Sequence, residues 1–299
     1  MREPQTDPAP WQAWERRRFS REREFARRFR HRPAGVVSLA IVLLVLVAAI
    51  IPGLIATHDP NAIDGAATLS EPSWEHWFGA DRLGRDTYSR VVHGARTALL
   101  VGLIAVGIGV GVGLPYGLLA GYIGGRKDEA MMRLMDALYA YPALLLALIV
   151  IAVMGTGLVN VMIAIGIVLV PVYARIVRGS TLSAKQNDYV LAAEAMGAGT
   201  PRILFRHIAP NVLAPVLVQA SLGIGFAIIW EAALSFLGLG TQPPDPSWGT
   251  LLKSAQRFLA TNAWLAVFPG VTIVLTVLAF NLLGDVLRDL LDPRLRGAD

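Results

Sequence analysis

Cysteine is absent, lysine occurs three times in 299 residues, and charged residues make up only 16% of the chain. Each shortage closes off a class of function. Without cysteine there is no disulfide framework and no thiol chemistry. The lysines are Lys127, Lys185 and Lys253, and none follows a glycine, so no GxxxxGK[ST] phosphate loop exists. No GxSxG elbow is present either. The five histidines (His31, His58, His76, His93, His207) are scattered, without HExxH or another metal-ligand spacing, and no metal site is expected from them. A chain of intramembrane acids, as a proton-driven carrier needs, is also missing. The chain is expected to have no catalytic residues and no cofactor of its own.

What the sequence does have is apolar length. Hydrophobic residues reach 54% and the mean hydropathy is +0.51. Runs of about 20 apolar residues match the hydrocarbon thickness of a bilayer. Six are legible: Gly35–Ile55, Thr97–Tyr122, Leu134–Met154, Leu158–Ile176, Val212–Leu237 and Trp264–Leu287. They lack the polar stripe that a helix of a soluble protein carries, which predicts an all-α polytopic membrane protein. The organisation follows: a basic segment 1–33, a first span 34–57, a loop 58–96, a five-helix core 97–290 containing a polar insert 185–211, and a tail 291–299.

Charge placement gives an orientation. Of the 27 Lys and Arg, 21 fall in segments that share a side with the N-terminus and six on the other side. The positive-inside rule then predicts both termini and the polar insert in the cytoplasm. The excess charge of +5 reads as a face toward anionic lipid, and no nucleic-acid partner is expected. The first 33 residues carry ten Arg with Trp11, Trp14, Phe19, Phe25 and Phe29 interleaved. Two readings stand for Trp14–Arg30: a helix along the headgroups or a disordered basic tail. No small-x-small cleavage site follows the first apolar run, so it is expected to remain as an anchor.

The polar insert Lys185–Asn211 reads as two short helices folded back to back. Asn187 or Asp188 caps the first, which places Tyr189, Ala192, Ala193 and Met196 on one face. Gly197 supplies a left-handed stop, Thr200-Pro201 restarts a helix, and Pro210 closes it. A loop with its own helical knob is built to be gripped. A DNA-binding helix-turn-helix reading of Ala193, Gly197 and Ile203 fails, because both ends run into spans and leave no residues for a third helix.

Inside the spans, Gly109, Gly113, Gly117 and Gly121 recur every four residues. Such a stripe serves either close packing within the bundle or a pore-lining helix that slides. Pro115 is expected to kink that helix. Glu231 is expected near the outer end of its span, about 29 Å along it, as a cap or pin. Asp285 and Arg288 are expected to pair at the inner end of the last span.

With Ala192, Ala193, Gly197 and a distal Ile208 and Pro210, the insert resembles the cytoplasmic coupling loop of ABC importer permeases. Leu191 stands where that family commonly has glutamate, and Glu194 is out of register with it. Three further stretches, His76–Gly102, Trp230–Leu252 and Asn281–Arg296, are similar to the second-permease type of the peptide/nickel importers. The resemblance runs from about Arg28 to Arg296. It implies the six-helix fold of a type I importer permease in the bacterial inner membrane. It implies a heterodimer with a homologous permease, two cytoplasmic ATPases that bind ATP and Mg, and an extracytoplasmic solute-binding protein. The implied cargo is a di- or oligopeptide, a glutathione-like peptide or a nickel chelate. Tyr189, Ala192, Ala193, Glu194, Met196, Gly197, Ile208 and Pro210 would then form the ATPase-coupling loop. A secondary carrier and a non-transporting scaffold are the alternatives; the first lacks coupling-ion sites and the second leaves the knob unexplained.

Overall fold

The computed structural model describes Phe29 and residues 32–291. The Trp14–Arg30 segment, apart from Phe29, and the tail beyond 291 lie outside the described residues. Among the described residues there is no strand, only an isolated bridge between Ala80 and Asp86. Five helices are long and apolar enough to cross a membrane, or six if one sharply bent pair is taken as a single span.

The first helix, α1 (Pro33–Ile50), stops short of the predicted Ile55. Pro52 has no N–H and forces the preceding residue out of helical geometry, and Ile51 accordingly sits at φ −125°, ψ 51°. A single turn, Pro52–Ile55, follows. The second helix, α2 (Thr87–Ile123), starts ten residues before the predicted apolar boundary because Asp86 caps it, accepting from the Ser89 N–H at 2.7 Å. Its 37 residues run about 55 Å, well past the hydrocarbon thickness.

The predicted third span, Leu134–Met154, is corrected by the structure. It breaks into α3 (Gly125–Tyr139) and α4 (Ala143–Met154), bent by 88°. Pro142 again marks the break. α3 carries Arg126, Lys127, Asp128, Glu129, Arg133 and Asp136, too many charges for lipid. Ion pairs hold it to the following long helix, α5 (Leu158–Lys185): Arg178 binds Asp128 through two bonds of 2.6 and 2.7 Å, and Arg175 reaches Asp136 at 2.6 Å. The turn between α4 and α5 is tight. Gly155 and Gly157 both have positive φ, and Asn160 donates to the carbonyls of Met154 and Gly155.

Beyond α5 come the knob helix α6 (Asp188–Ala195), the long helix α7 (Ala209–Phe236), the short α8 (Trp248–Ala255) and α9 (Trp264–Leu291). The main core joins α2, α4, α5, the knob and α7. A second core joins α1, α2, α8 and α9 through Val45, Leu99, Trp248 and Phe280. Trp248 is buried, and its indole N–H donates to the Val91 carbonyl at 2.9 Å. Gly94 makes that possible, since a Cβ there would lie 2.7 Å from the indole. At the opposite end, Arg32 rather than Arg288 takes the ion pair on α9, and its partner is Asp289 rather than Asp285.

Candidate functional site

The knob's packed face is part of the main core. Val190 of α6 clusters with Ile203, Leu204 and Ile208, and these four and Ala193 are 3% exposed or less. This moves the predicted face by one position. Tyr189, Ala192 and Met196 are exposed as a set, but Ala193 turns inward and pairs with Val190. Ile208 is fully buried and Pro210 is exposed. The missed signal was the competing i, i+3 pair Val190/Ala193, whose β-branched member marks the packed side.

Gly197 has φ +79°, with Gly197 N–H bonded to Glu194 O at 2.9 Å and Ala198 N–H to Ala193 O at 3.0 Å. That is a left-handed helix stop of the kind only glycine adopts without strain. Asn187 occupies the N-cap position but its side chain makes no cap bond. Helix resumes at Thr200–Arg202, with Gly199 at its N-cap and Pro201 in its first turn.

Pro210 does not close this second helix. The chain passes from Thr200–Arg202 through a π-turn segment, Ile203–Ile208, straight into α7. Pro210 cannot donate to Arg206, and its ring would crowd that carbonyl in a regular α-turn. The wider turn ahead of it, where Ala209 N–H bonds Leu204 O, relieves the crowding. Asn211 covers the same region, donating to His207 O at 2.8 Å and to the Tyr189 hydroxyl at 3.1 Å. The knob's second half is therefore a rigid extension of α7.

The first half is fastened to α2. Tyr122, one residue from the end of α2, donates its hydroxyl to Glu194 at 3.1 Å. Its carbonyl accepts from the Lys185 ammonium at 2.7 Å, and that ammonium also sits 4.9 Å over the tyrosine ring. While its inner face is satisfied this way, the knob leaves large apolar side chains outside. Tyr189, Leu191, Phe205 and Met196 are 43%, 51%, 66% and 81% exposed.

The glycine stripe of α2 lies against α5. A Cβ at Gly109 would approach Leu169 and Tyr173, one at Gly113 would meet Tyr173 and the Val170 carbonyl, one at Gly117 the Ala174 carbonyl and Val177, and one at Gly121 Thr181. Gly107 and Gly111, off the stripe, meet nothing within 4 Å. Backbone-to-backbone packing within this chain's own bundle accounts for the four-residue spacing.

Glu231 is fully buried near the end of α7 remote from the knob. Its Oε1 accepts from Ser235 at 2.6 Å and lies 3.5 Å from the Thr241 hydroxyl, while Ser235 Oγ also accepts from the Thr241 N–H at 3.1 Å. The acid thus gathers the chain that leaves α7. Beside it is a cleft of about 290 Å³ whose lining includes Arg82, Lys253 and Arg257 and no acid.

Comparison with known proteins gives the family. The chain belongs to the binding-protein-dependent transport system inner membrane components, whose family model matches residues 113–297. It is thus a multi-pass inner-membrane permease subunit and not an enzyme. A second family model, the N-terminal TM domain of oligopeptide transport permease C, matches residues 19–72. The chain is 44% identical over 282 residues to the di/tripeptide transport system permease protein DppC of Pseudomonas aeruginosa, covering 92% of this chain and 93% of that one. It is 46% identical over 275 residues to the glutathione transport system permease protein GsiD of Pectobacterium atrosepticum, covering 92% and 91%. It is 44% identical over 265 residues to the probable D,D-dipeptide transport system permease protein DdpC of Escherichia coli K12, covering 89% of each. Among solved structures, the inward-facing MetNI methionine ABC transporter matches with a TM-score of 0.56 at 19% identity. That match covers 68% of this chain and 97% of the other, a likeness of fold.

Proposed function

We propose that this chain forms half of the membrane path of an ATP-driven importer for di- and oligopeptides. A homologous permease supplies the other half, two separate cytoplasmic ATPases bind ATP and Mg, and an extracytoplasmic binding protein delivers the solute. The observation that carries this reading is the knob. Four large apolar side chains stay exposed on a segment whose inner face is fully packed, which is how a docking surface looks. The residues proposed to serve coupling are Tyr189, Ala192, Glu194 and Met196 on the surface, with Ala193, Gly197, Ile208 and Pro210 shaping it. Leu191, at the position where a glutamate is common, adds apolar area to the same surface.

The mechanism follows from rigidity. When the ATPases close on ATP, they draw the two knobs together. The knob is continuous with α7 through the π-turn segment and bonded to α2 through Tyr122. A displacement at its surface therefore moves both helices as bodies rather than being lost in a flexible loop. Alternating exposure of the path between the two permeases results. The bias of basic residues supports a cytoplasmic knob and cytoplasmic termini. The peptide cargo is supported by relatives whose names all specify short peptides, glutathione being a tripeptide.

Reconstitution tests the reading. The purified chain alone should hydrolyse no ATP, and proteoliposomes holding it with its sister permease and ATPases should take up labelled dipeptide only with binding protein and ATP. Hydrolysis that tracks with this polypeptide after every partner is removed would contradict it.

A further inference from the structure

The histidines carry no metal spacing in the sequence, yet the fold brings two of them to one carboxylate. We infer that His58, His76 and Asp86 form a binding site for a divalent cation of the zinc class, at the end of the molecule opposite the knob. The three residues come from separate pieces of chain: the exit of the first span, the middle of the long loop, and the N-cap of α2. His76 Nδ1 stands 2.9 Å from Asp86 Oδ1, His58 Nδ1 stands 3.9 Å from Asp86 Oδ2, and the two imidazole centres are 4.9 Å apart. Each residue can offer a ligand atom such that all three lie within 4.8 Å of one another. Ligands at 2.0–2.1 Å around a tetrahedral ion are separated by about 3.3 Å. The two imidazole–carboxylate distances bracket that value.

A direct hydrogen bond to Asp86 accounts for His76 but not for His58, whose Nδ1 pairs with Thr57 Oγ1 instead. The His76–Asp86 distance suits one, but 3.9 Å from His58 to the other oxygen is too long for a direct bond. It suits two ligands sharing an ion. Thr57 Oγ1 belongs to the same cluster, 3.0 Å from His58 Nδ1 and 3.5 Å from Asp86 Oδ2.

The site is held before any ion arrives. Asp86 is fixed by the Ser89 N–H, the His58 backbone N–H donates to Ser89 Oγ at 3.0 Å, and the His76 N–H donates to Ser73 Oγ at 3.0 Å. Asp86 and His76 are buried at 2% and 7% exposure, while the His58 side chain is 37% exposed. The ion would therefore enter past His58, with its fourth position open to water. Nearby guanidinium groups are engaged elsewhere: Arg85 on Asp81 at 2.7 Å, and Arg90 on the Pro60 carbonyl at 2.7 Å. Among the described residues, Asp86 thus faces two imidazoles and no free cation. The consequence is a clip, joining the exit of α1 to the start of α2 and holding the loop between them.

The test uses the full-length chain in lipid nanodiscs, without a polyhistidine tag and stripped with EDTA. Zn²⁺ is titrated against wild type, His58→Ala and His76→Asn, and Co²⁺ absorption reports the coordination geometry. The expected result is one equivalent of Zn²⁺ per wild-type chain and tetrahedral Co²⁺ bands. Each variant should weaken binding at least about tenfold, since even outer ligand partners contribute that much. His58 is partly exposed, so His58→Ala is expected to elute as wild type does. No saturable binding, or equal affinity in wild type and His58→Ala, would overturn the assignment.

Discussion

Tyr122 donates its hydroxyl to Glu194 across 3.1 Å, and this bond ties the knob's first helix to the end of the 37-residue helix α2. If the knob is a lever, the bond is part of its fulcrum. Tyr122→Phe removes the donor and keeps the ring under Lys185. The expected outcome is normal membrane level and normal ATPase association, with uptake per ATP hydrolysed reduced severalfold. Since Glu194 is exposed, the stability cost should be at most about 1 kcal/mol. Unchanged coupling would place the fulcrum elsewhere, in the continuity with α7.

Gly117 and Gly111 sit on the same helix and should behave in opposite ways. A Cβ at Gly117 would run into the Ala174 carbonyl and come within 2.7 Å of Val177 Cβ, whereas one at Gly111 meets nothing within 4 Å. Gly117→Val should force α2 from α5 at a cost of about 1–3 kcal/mol or more, with a clear fall in thermal unfolding temperature. Gly111→Val should leave that temperature unchanged. Fluorescence-detected unfolding in detergent compares the two directly.

Glu231 offers a separation of charge from shape. Its Oε1 is bonded to Ser235, while Oε2 has no partner among the described residues. Glu231→Gln keeps the acceptor and removes the ability to ionise, so unfolding temperature should hold or rise. Glu231→Ala strands the Ser235 hydroxyl, opens a cavity, and should cost about 2–4 kcal/mol. A drop of equal size for both variants would show that the carboxyl group itself is needed.

The lack of cysteine makes topology easy to test. A single cysteine at Ala66 should label with an impermeant reagent added outside, and one at Met196 should label only after permeabilisation. Both positions are exposed in this chain, so once the ATPases are stripped from the membranes access is limited by the bilayer alone. Outside labelling at position 196 would reverse the orientation and remove the coupling role.

Length and charge made much of this molecule legible in the sequence. Apolar runs located α1, α2, α5, α7 and α9, and Gly197 announced its own positive φ. What stayed hidden depended on partners distant in the chain. Leu134–Met154 looked continuous because hydropathy does not register the constraint of Pro142, nor the pull of Arg178 and Arg175 on Asp128 and Asp136. Pro210 looked like a terminator because a π-turn segment has no local signature. Which face of α6 turns inward depends on Val190 clustering with Ile203 and Ile208, thirteen and eighteen residues away. The clustering of His58, His76 and Asp86 has no spacing rule, since it is made by the loop's return to α2.

The docking claim rests most directly on Met196. It is 81% exposed and lies outside the main core, so Met196→Glu adds charge to the surface without disturbing Val190, Ala193 or Ile203. Ala193→Glu serves as the contrasting variant, because it places an unpaired charge inside the knob at a cost of several kcal/mol, about 3 or more. The measurement is co-purification of the ATPases together with dipeptide uptake, at matched membrane levels of folded protein. The account predicts that Met196→Glu unfolds at the wild-type temperature yet loses its ATPases and its uptake. Full ATPase association and wild-type uptake by Met196→Glu would contradict it.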